Sequence, residues 1–289
     1  GGLKGSADFS RYRSAKTIQT ETHNALTLIN LVHFLQVERG QSAALISSEG
    51  TVFKDEVAKT RRATGESLAK TPVPVIELFP QFDQLDQIRG SVDTLSISTP
   101  EMAAYYTGLI SQILALVGGE LALQSNPQIV QVGSGLIALS NAKEAAGMQR
   151  AAGATGFGLG RFELATYQKF AEKGAAEAQL LRLAALTLGQ HLPDLDFADG
   201  MRQSELKDIR AAILAAGPNG QVPDLTAQEW FFQATIWLTY LHSVENQAAA
   251  KIVSLAQKEA RDARTALLIT ILLVSLRSEE HTSELQSQS

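Results

Sequence analysis

The sequence contains no cysteine, only 6% aromatic residues and only eight prolines in 289 positions. Without cysteine there is no disulfide scaffold, no thiolate nucleophile and no Cys-ligated zinc, and cysteine usage leaves the redox compartment open. No charged-then-apolar leader opens the chain, and residues 1–16 are read as an N-terminal flank. Basic residues do not dominate: 25 Lys and Arg stand against 30 Asp and Glu, a net charge of -5. No basic stretch is dense enough to follow a phosphate backbone, so nucleic acid is not expected as a partner. Catalytic patterns are missing too. There is no Gly-Lys-Ser/Thr phosphate loop, and Gly156, Gly158 and Gly160 read as a helix end. There is no nucleophile elbow or Ser-His-Asp arrangement, and His23, His33, His191 and His242 share no metal-ligand spacing. Asp194, Asp196 and Asp199 before Gly200 resemble a calcium loop, but Ala198 holds the fifth position and the glycine comes one residue late. The chain is expected to be no enzyme and to need neither metal nor cofactor.

What is present is helical periodicity. Strand signals are confined to short pieces such as Val73–Ile76, and the fold class is all-α, about eight helices in two packed antiparallel bundles. The spacing predicts helices over 17–47, 53–70, 82–95, from Thr99 to about Gly118-Gly119, from Asn126 to the glycines at 156–160, over 162–188, 204–216 and 226–276. Their ends are marked by Gly50, Pro72, Pro74, Gly189 and Gly217-Pro218. Thr99-Pro100-Glu101 and Asn126-Pro127 read as helix starts, and Thr226 with Glu229 as a capping box. The last helix has neither Gly nor Pro; at 1.5 Å per residue its fifty residues extend roughly 75 Å, more than a small domain needs. Its early turns carry core residues (Trp230, Trp237, Leu241) and later turns are charged. Ala266–Leu276 is eleven residues without a charge, read as the start of a truncated transmembrane helix. Arg277–Ser289, RSEEHTSELQSQS, resembles a translated sequencing-library adapter. The domain proper is placed at 17–262, with the membrane segment at 263–276.

Two helices aim cations inward. On the first, Leu28, Val32, Leu35, Arg39, Ser42 and Ile46 form one stripe; on the fifth, Val132, Leu136, Leu139, Lys143, Ala146, Arg150, Gly153 and Phe157 do the same. Arg39 and Arg150, with Lys143, therefore interrupt buried faces, among small residues such as Gly40, Ala43, Ala146 and Gly147. A guanidinium stays charged, so burying it requires an anion from the protein or from a ligand. Glu38, next to Arg39, and Glu144, in the same motif as Arg150, are the internal candidates. A helical structural or interaction domain with internal salt bridges is then the alternative to a ligand site, as is a snorkelling Arg39.

The segment Leu31-Val32-His33-Phe34-Leu35-Gln36-Val37-Glu38-Arg39-Gly40-Gln41-Ser42-Ala43 resembles the first motif of the nitrate- and nitrite-sensing domain family of bacterial receptors. Lys143-Glu144-Ala145-Ala146-Gly147-Met148-Gln149-Arg150-Ala151 resembles its second. Weaker echoes are Arg61-Arg62-Ala63-Thr64, Tyr106 to Ile110, Gly160-Arg161-Phe162 with Tyr167 and Phe170, and Trp230 with Thr235, together covering about 26–245. Gly65 stands where the family usually has Asp, and Gln149 where it has Glu. The resemblance implies two helical bundles with nitrate or nitrite held between helices by Arg39 and Arg150, and Ser42, Lys143 and Gly147 as secondary contacts. It implies a homodimeric receptor of the bacterial inner membrane, anchored by the C-terminal helix, its sensor extracytoplasmic (periplasmic) and its output in a separate cytoplasmic module. Lys258, Arg261 and Arg264 before the apolar run favour the opposite orientation. Bicarbonate or a small carboxylate would offer the same planar oxygens.

Overall fold

The computed structural model describes residues 2–197 and 205–287. Among these it is all-α, with nine helices and a 3-10 turn: α1 (Gly2–Ser47), α2 (Lys54–Ala69), α3 (Val73–Ile76), a turn at Pro80–Gln84, α4 (Leu85–Asp93), α5 (Thr99–Ala122), α6 (Pro127–Gly158), α7 (Leu164–Leu188), α8 (Leu206–Ala216) and α9 (Ala227–Ser287). The chain packs as two groups. Helix α1 lies against α2 and α5, α6 lies against α7 and α9, and contacts of α1 with α9 and of α5 with α6 join the groups.

Local chemistry sets the helix starts. The Ser98 hydroxyl accepts from the Glu101 amide at 3.4 Å while the Glu101 carboxylate accepts from the Ser98 amide at 3.1 Å, a capping box one residue earlier than the expected Thr99 start, with Pro100 in the first turn. The Asn126 side chain accepts from the amides of Gln128 and Ile129 at 2.9 and 3.3 Å, and Pro127 follows where no amide is needed. Thr226 and Glu229 form the expected reciprocal pair ahead of α9. Gly50 and Gly160, with φ of 80° and 66°, turn the chain after α1 and α6 in a region that disfavours side chains.

Several boundaries differ from expectation. Helix α1 begins at Gly2 rather than near Thr17, because Ala15 packs with Tyr12 against Ala260 and Ala263 of α9, a partner far away in sequence. Asp8 accepts a hydrogen bond from Thr270 at 2.6 Å, so the two helices run together beyond the core. Val73–Ile76, which carries a strand signal, is one helical turn, since Pro74 in its first turn fixes a helical φ. Residues 80–84 form a 3-10 turn, shortening the third expected helix to α4, and α5 passes through Gly118-Gly119 to Ala122. Helix α9 does not end at Leu276 but runs 61 residues in all, from Ala227 to Ser287. The expected α8 start at Ser204, and Ala198, Asp199 and Gly200 of the calcium-like loop, lie outside the described residues.

One described helix, α5, is long and apolar enough to cross a membrane by length and composition. It is a core helix: Met102, Tyr106, Leu109, Ile110, Ile113, Leu114, Val117 and Leu121 are all buried. On α9, by contrast, Leu268, Ile269, Ile271, Leu272, Leu273, Val274 and Leu276 are each about half exposed.

Candidate functional site

Both predicted stripes face inward. Leu28, Val32, Leu35, Arg39 and Ser42 on α1, and Val132, Leu136, Leu139, Lys143, Ala146 and Phe157 on α6, are buried. Ile46 and Arg150 are only partly buried, so the fully inward cations are Arg39 on α1 and Lys143 on α6, while Arg150 lies at the edge of the same seam.

The two arginines sit in a reciprocal arrangement that the glycines permit. A Cβ on Gly40 of α1 would fall 2.6 Å from Nη2 of Arg150, which comes from α6. A Cβ on Gly147 of α6 would fall 3.5 Å from Nη2 of Arg39, which comes from α1. Each guanidinium thus leans on a glycine of the opposite helix.

Their partners differ. Arg39 binds Glu144 through both nitrogens, Nη1 to Oε1 at 2.5 Å and Nη2 to Oε2 at 3.0 Å, a bidentate pair that is charge-assisted and planar. Nη1 also donates to Thr107 of α5 at 2.7 Å, and Gln36 donates to Glu144 at 2.9 Å. One internal salt bridge envisaged from sequence is therefore made. The other is not: Glu38 turns away from Arg150 and accepts from Arg89 at 2.7 and 2.9 Å, Tyr106 at 2.8 Å and Thr64 at 2.7 Å. Arg61 approaches the same carboxylate at 3.8 Å while pairing with Asp93. Burial opposes the charge of Arg89, but the hydrogen bond and charge of Glu38 hold its pKa above the ordinary value. Burial first and then the Glu38 charge push Tyr106 upward.

Arg150 has no carboxylate at ion-pair distance among the described residues. Its Nη1 donates to Thr235 at 2.8 Å and its guanidinium carbon stands 4.2 Å from the centre of the Phe231 ring. Burial, and then the charge of Arg39, lower its pKa to about 10, so at neutral pH it is a cation held beside another cation with nothing negative of its own. Ser42, one turn beyond Arg39 on the same face, is fully buried and its hydroxyl has no hydrogen-bond partner.

Lys143 is inward as expected, but the protein neutralises it. It forms a short ion pair with Glu245 of α9, which also accepts from Ser140 at 2.7 Å and pairs with His242 at 3.0 Å. Burial alone would raise Glu245, but Lys143, His242 and Ser140 hold its pKa down to about 2. His33 stacks on His242 with ring centres 3.5 Å apart and planes 4° from parallel. Burial, reinforced by Lys143 and His242, lowers His33 to about 3.

Both departures from the family motif lie away from this seam. Gly65 is exposed, with open space around it. Gln149 donates to the Phe170 carbonyl at 3.0 Å and packs on Gly174 of α7. Thr107 and Phe231 escaped the sequence reading, because a threonine one residue from a core tyrosine and an aromatic at a helix start carry no polar-site signal. Gln36 lies three residues before Arg39, so its shared face was available from spacing. Two surface depressions of about 380 Å³ each lie on the outer parts of α1 and α9; they bring together no facing cations and contain none of these residues.

The class that the structure defines is an all-helical domain of two bundles with a charged seam between them. The chain belongs to the nitrate and nitrite sensing family, whose model matches residues 30–253. It is similar to the nitrate regulatory protein of Klebsiella oxytoca, with 25% identity over 245 residues, covering 78% of this chain and 61% of that protein. The chain thus spans about three fifths of that relative's length. In fold it is similar to the NasR transcription antiterminator, with a TM-score of 0.74 at 20% identity, covering 94% of this chain and 83% of the other. Nitrate and nitrite sensing is what the family description names.

Proposed function

We propose that this chain is the anion-sensing region of a longer regulatory protein, and that nitrate or nitrite binds at the seam of α1 and α6 between Arg39 and Arg150. The observation that carries this reading is Arg150: a guanidinium at the seam, close to a second one, with a hydroxyl and a ring as partners but no carboxylate. A partly buried guanidinium without a counterion is unfavourable, and a bound anion relieves that through paired, charge-assisted hydrogen bonds. Ser42 offers a further donor. Because Arg39 reaches the seam from α1 and Arg150 from α6, an anion touching both favours one packing of the two helices over others, the differential affinity that a signal requires. Helix α9, which contacts both, carries the displacement outward to an output module.

The internal Arg39–Glu144 pair favours the rival reading, a helical structural domain, for Arg39 alone; it offers no partner to Arg150. Calorimetric titration with nitrate separates the two. Heat is expected from the folded chain, lost in Arg150→Ala and Arg39→Ala but retained in Leu35→Ala, which removes core packing instead. A folded chain giving no nitrate-dependent heat sinks the sensor reading.

A receptor anchored in the inner membrane is the fuller form of the proposal. Its support is the band of half-exposed apolar side chains from Leu268 to Leu276, beside the α1 segment that exposes Leu3 and Phe9. Flotation of the chain with phospholipid vesicles, lost when Leu272 and Leu273 become serine, is the expected result. Absence of the intact chain from the lipid fraction argues for a regulator that works without a membrane.

A further inference from the structure

We infer that Glu144 sets the charge of the Arg39–Arg150 seam and so makes it selective for singly charged anions over doubly charged ones. The inference rests on the anion-site reading above and adds a specificity-determining residue to it.

Around the seam the other buried and partly buried cations each have a carboxylate partner, the exposed Asp93 included. Lys143 is matched by Glu245, Arg89 by Glu38 and Arg61 by Asp93. What is left is Arg39, Arg150 and Glu144, two positive charges and one negative. The seam as built is therefore one positive charge in excess. A planar monoanion brings it to neutrality. A dianion such as sulfate leaves a negative charge uncompensated away from water, where ions are costly to hold.

Geometry adds a second filter. Glu144 occupies the Nη1–Nη2 edge of Arg39 through both oxygens and is itself held by Gln36, so it is a fixed part of the wall. An incoming anion meets a carboxylate on one side. For a monoanion the attraction of two guanidinium groups outweighs that repulsion; for a dianion the repulsion doubles. Glu144 thus acts more strongly against doubly charged anions than against singly charged ones, a case of specificity through an unfavourable element.

The test compares the wild-type chain with Glu144→Gln, which keeps an oxygen for Arg39 and removes the charge. Each is titrated calorimetrically with nitrate and with sulfate at matched ionic strength, and melting temperature with and without each anion reports folding. Sulfate affinity is expected to rise by at least about tenfold in Glu144→Gln, with a smaller change for nitrate, so that the preference narrows. A folded Glu144→Gln chain with an unchanged nitrate-to-sulfate preference overturns the inference. Wild-type chain that ignores nitrate, together with sulfate binding gained in Glu144→Gln and abolished by adding Arg150→Ala, overturns the nitrate reading and leaves the charge rule standing. If neither chain binds either anion, both fall. Should Glu144→Gln fail to fold, Thr235→Asp gives Arg150 a carboxylate and lowers the excess charge to zero. Nitrate affinity must then drop by at least about tenfold, and an unchanged affinity overturns the inference.

Discussion

The two halves of this molecule are closed by different means. The half containing α2, α4 and α5 is drawn onto α1 by one buried carboxylate, Glu38, which ties Thr64 of α2, Arg89 of α4 and Tyr106 of α5 to a single point. The half containing α7 and α9 is drawn onto α6 by aromatic packing. Phe157, Phe162, Phe170 and Trp230 form a cluster with ring centres 5.2 to 5.7 Å apart, and the Trp230 indole donates to the Arg150 carbonyl at 2.8 Å. A charged hub fixes direction, because each hydrogen bond has its own geometry; an aromatic cluster fixes proximity through buried area. The seam between them therefore joins a part closed by a charged hub to one in which aromatic packing is added to the buried Lys143–Glu245 pair, and the cation without a carboxylate partner comes from the second part.

The largest way to break that contrast is at the aromatic cluster. Trp230 is fully buried, and its ring fills the space that Gly153 leaves open, where a Cβ would come within 2.1 Å of it. Trp230→Ala is expected to lower stability by about 3–5 kcal/mol, measured by urea unfolding. A loss below about 1 kcal/mol would show that the cluster is not the closure of that half. Next is the hub. Glu38→Ala strands the Arg89 guanidinium and the Tyr106 hydroxyl and should cost about 3 kcal/mol, the lower end for a broken buried pair because Arg89 keeps some solvent contact.

A smaller effect probes the contact of α9 with both helices through pH. His33 has a folded pKa near 3, well below its ordinary 6.5, so between those values the unfolded chain binds a proton that the folded chain refuses. Stability is then full above pH 6.5 and declines as pH falls toward 3, at no more than about 1.4 kcal/mol per pH unit. Glu245, held near 2 against its ordinary 4.5, adds loss only below about pH 4.5, with the same sign. Of these two groups, His33 alone acts between pH 6.5 and 4.5. Replacing it by Gln is expected to flatten the stability profile there, and a profile as steep as the wild type's would place the acid sensitivity elsewhere.

Legibility in the sequence followed the range of the interactions. All-α class, most helix starts and the inward arginines could be read, because caps and stripes act within three or four residues. Pairing could not. Glu38 and Glu144 occupy similar places beside the two motifs, and only the three-dimensional meeting of helices decides that Glu144 takes Arg39 while Glu38 turns to Arg89. The early start of α1 was hidden for the same reason, since the partners of Ala15 lie near residue 260. The odd residue Gln149, which looked like a lost charge beside Arg150, proves to face α7, where a neutral amide is what the Phe170 carbonyl needs.

The finest test sits at the seam itself, in its two glycines. At Gly40 an added methyl would stand 2.6 Å from the Arg150 guanidinium, too close for both to remain; the guanidinium, at the end of a flexible side chain, is what yields. At Gly147 the same methyl would stand 3.5 Å from the Arg39 guanidinium, an ordinary contact, and Arg39 is pinned by Glu144 besides. Neither change opens the core, and alanine favours helix over glycine by up to about 1 kcal/mol, so both variants should fold as well as the wild type. Their nitrate affinities should part: a loss of about tenfold in Gly40→Ala, and less than about twofold in Gly147→Ala. Equal losses would mean that the two arginines are interchangeable. Unequal losses in the stated order would mean that Glu144 pins one arginine in place while the other is free to move, although the anion touches both.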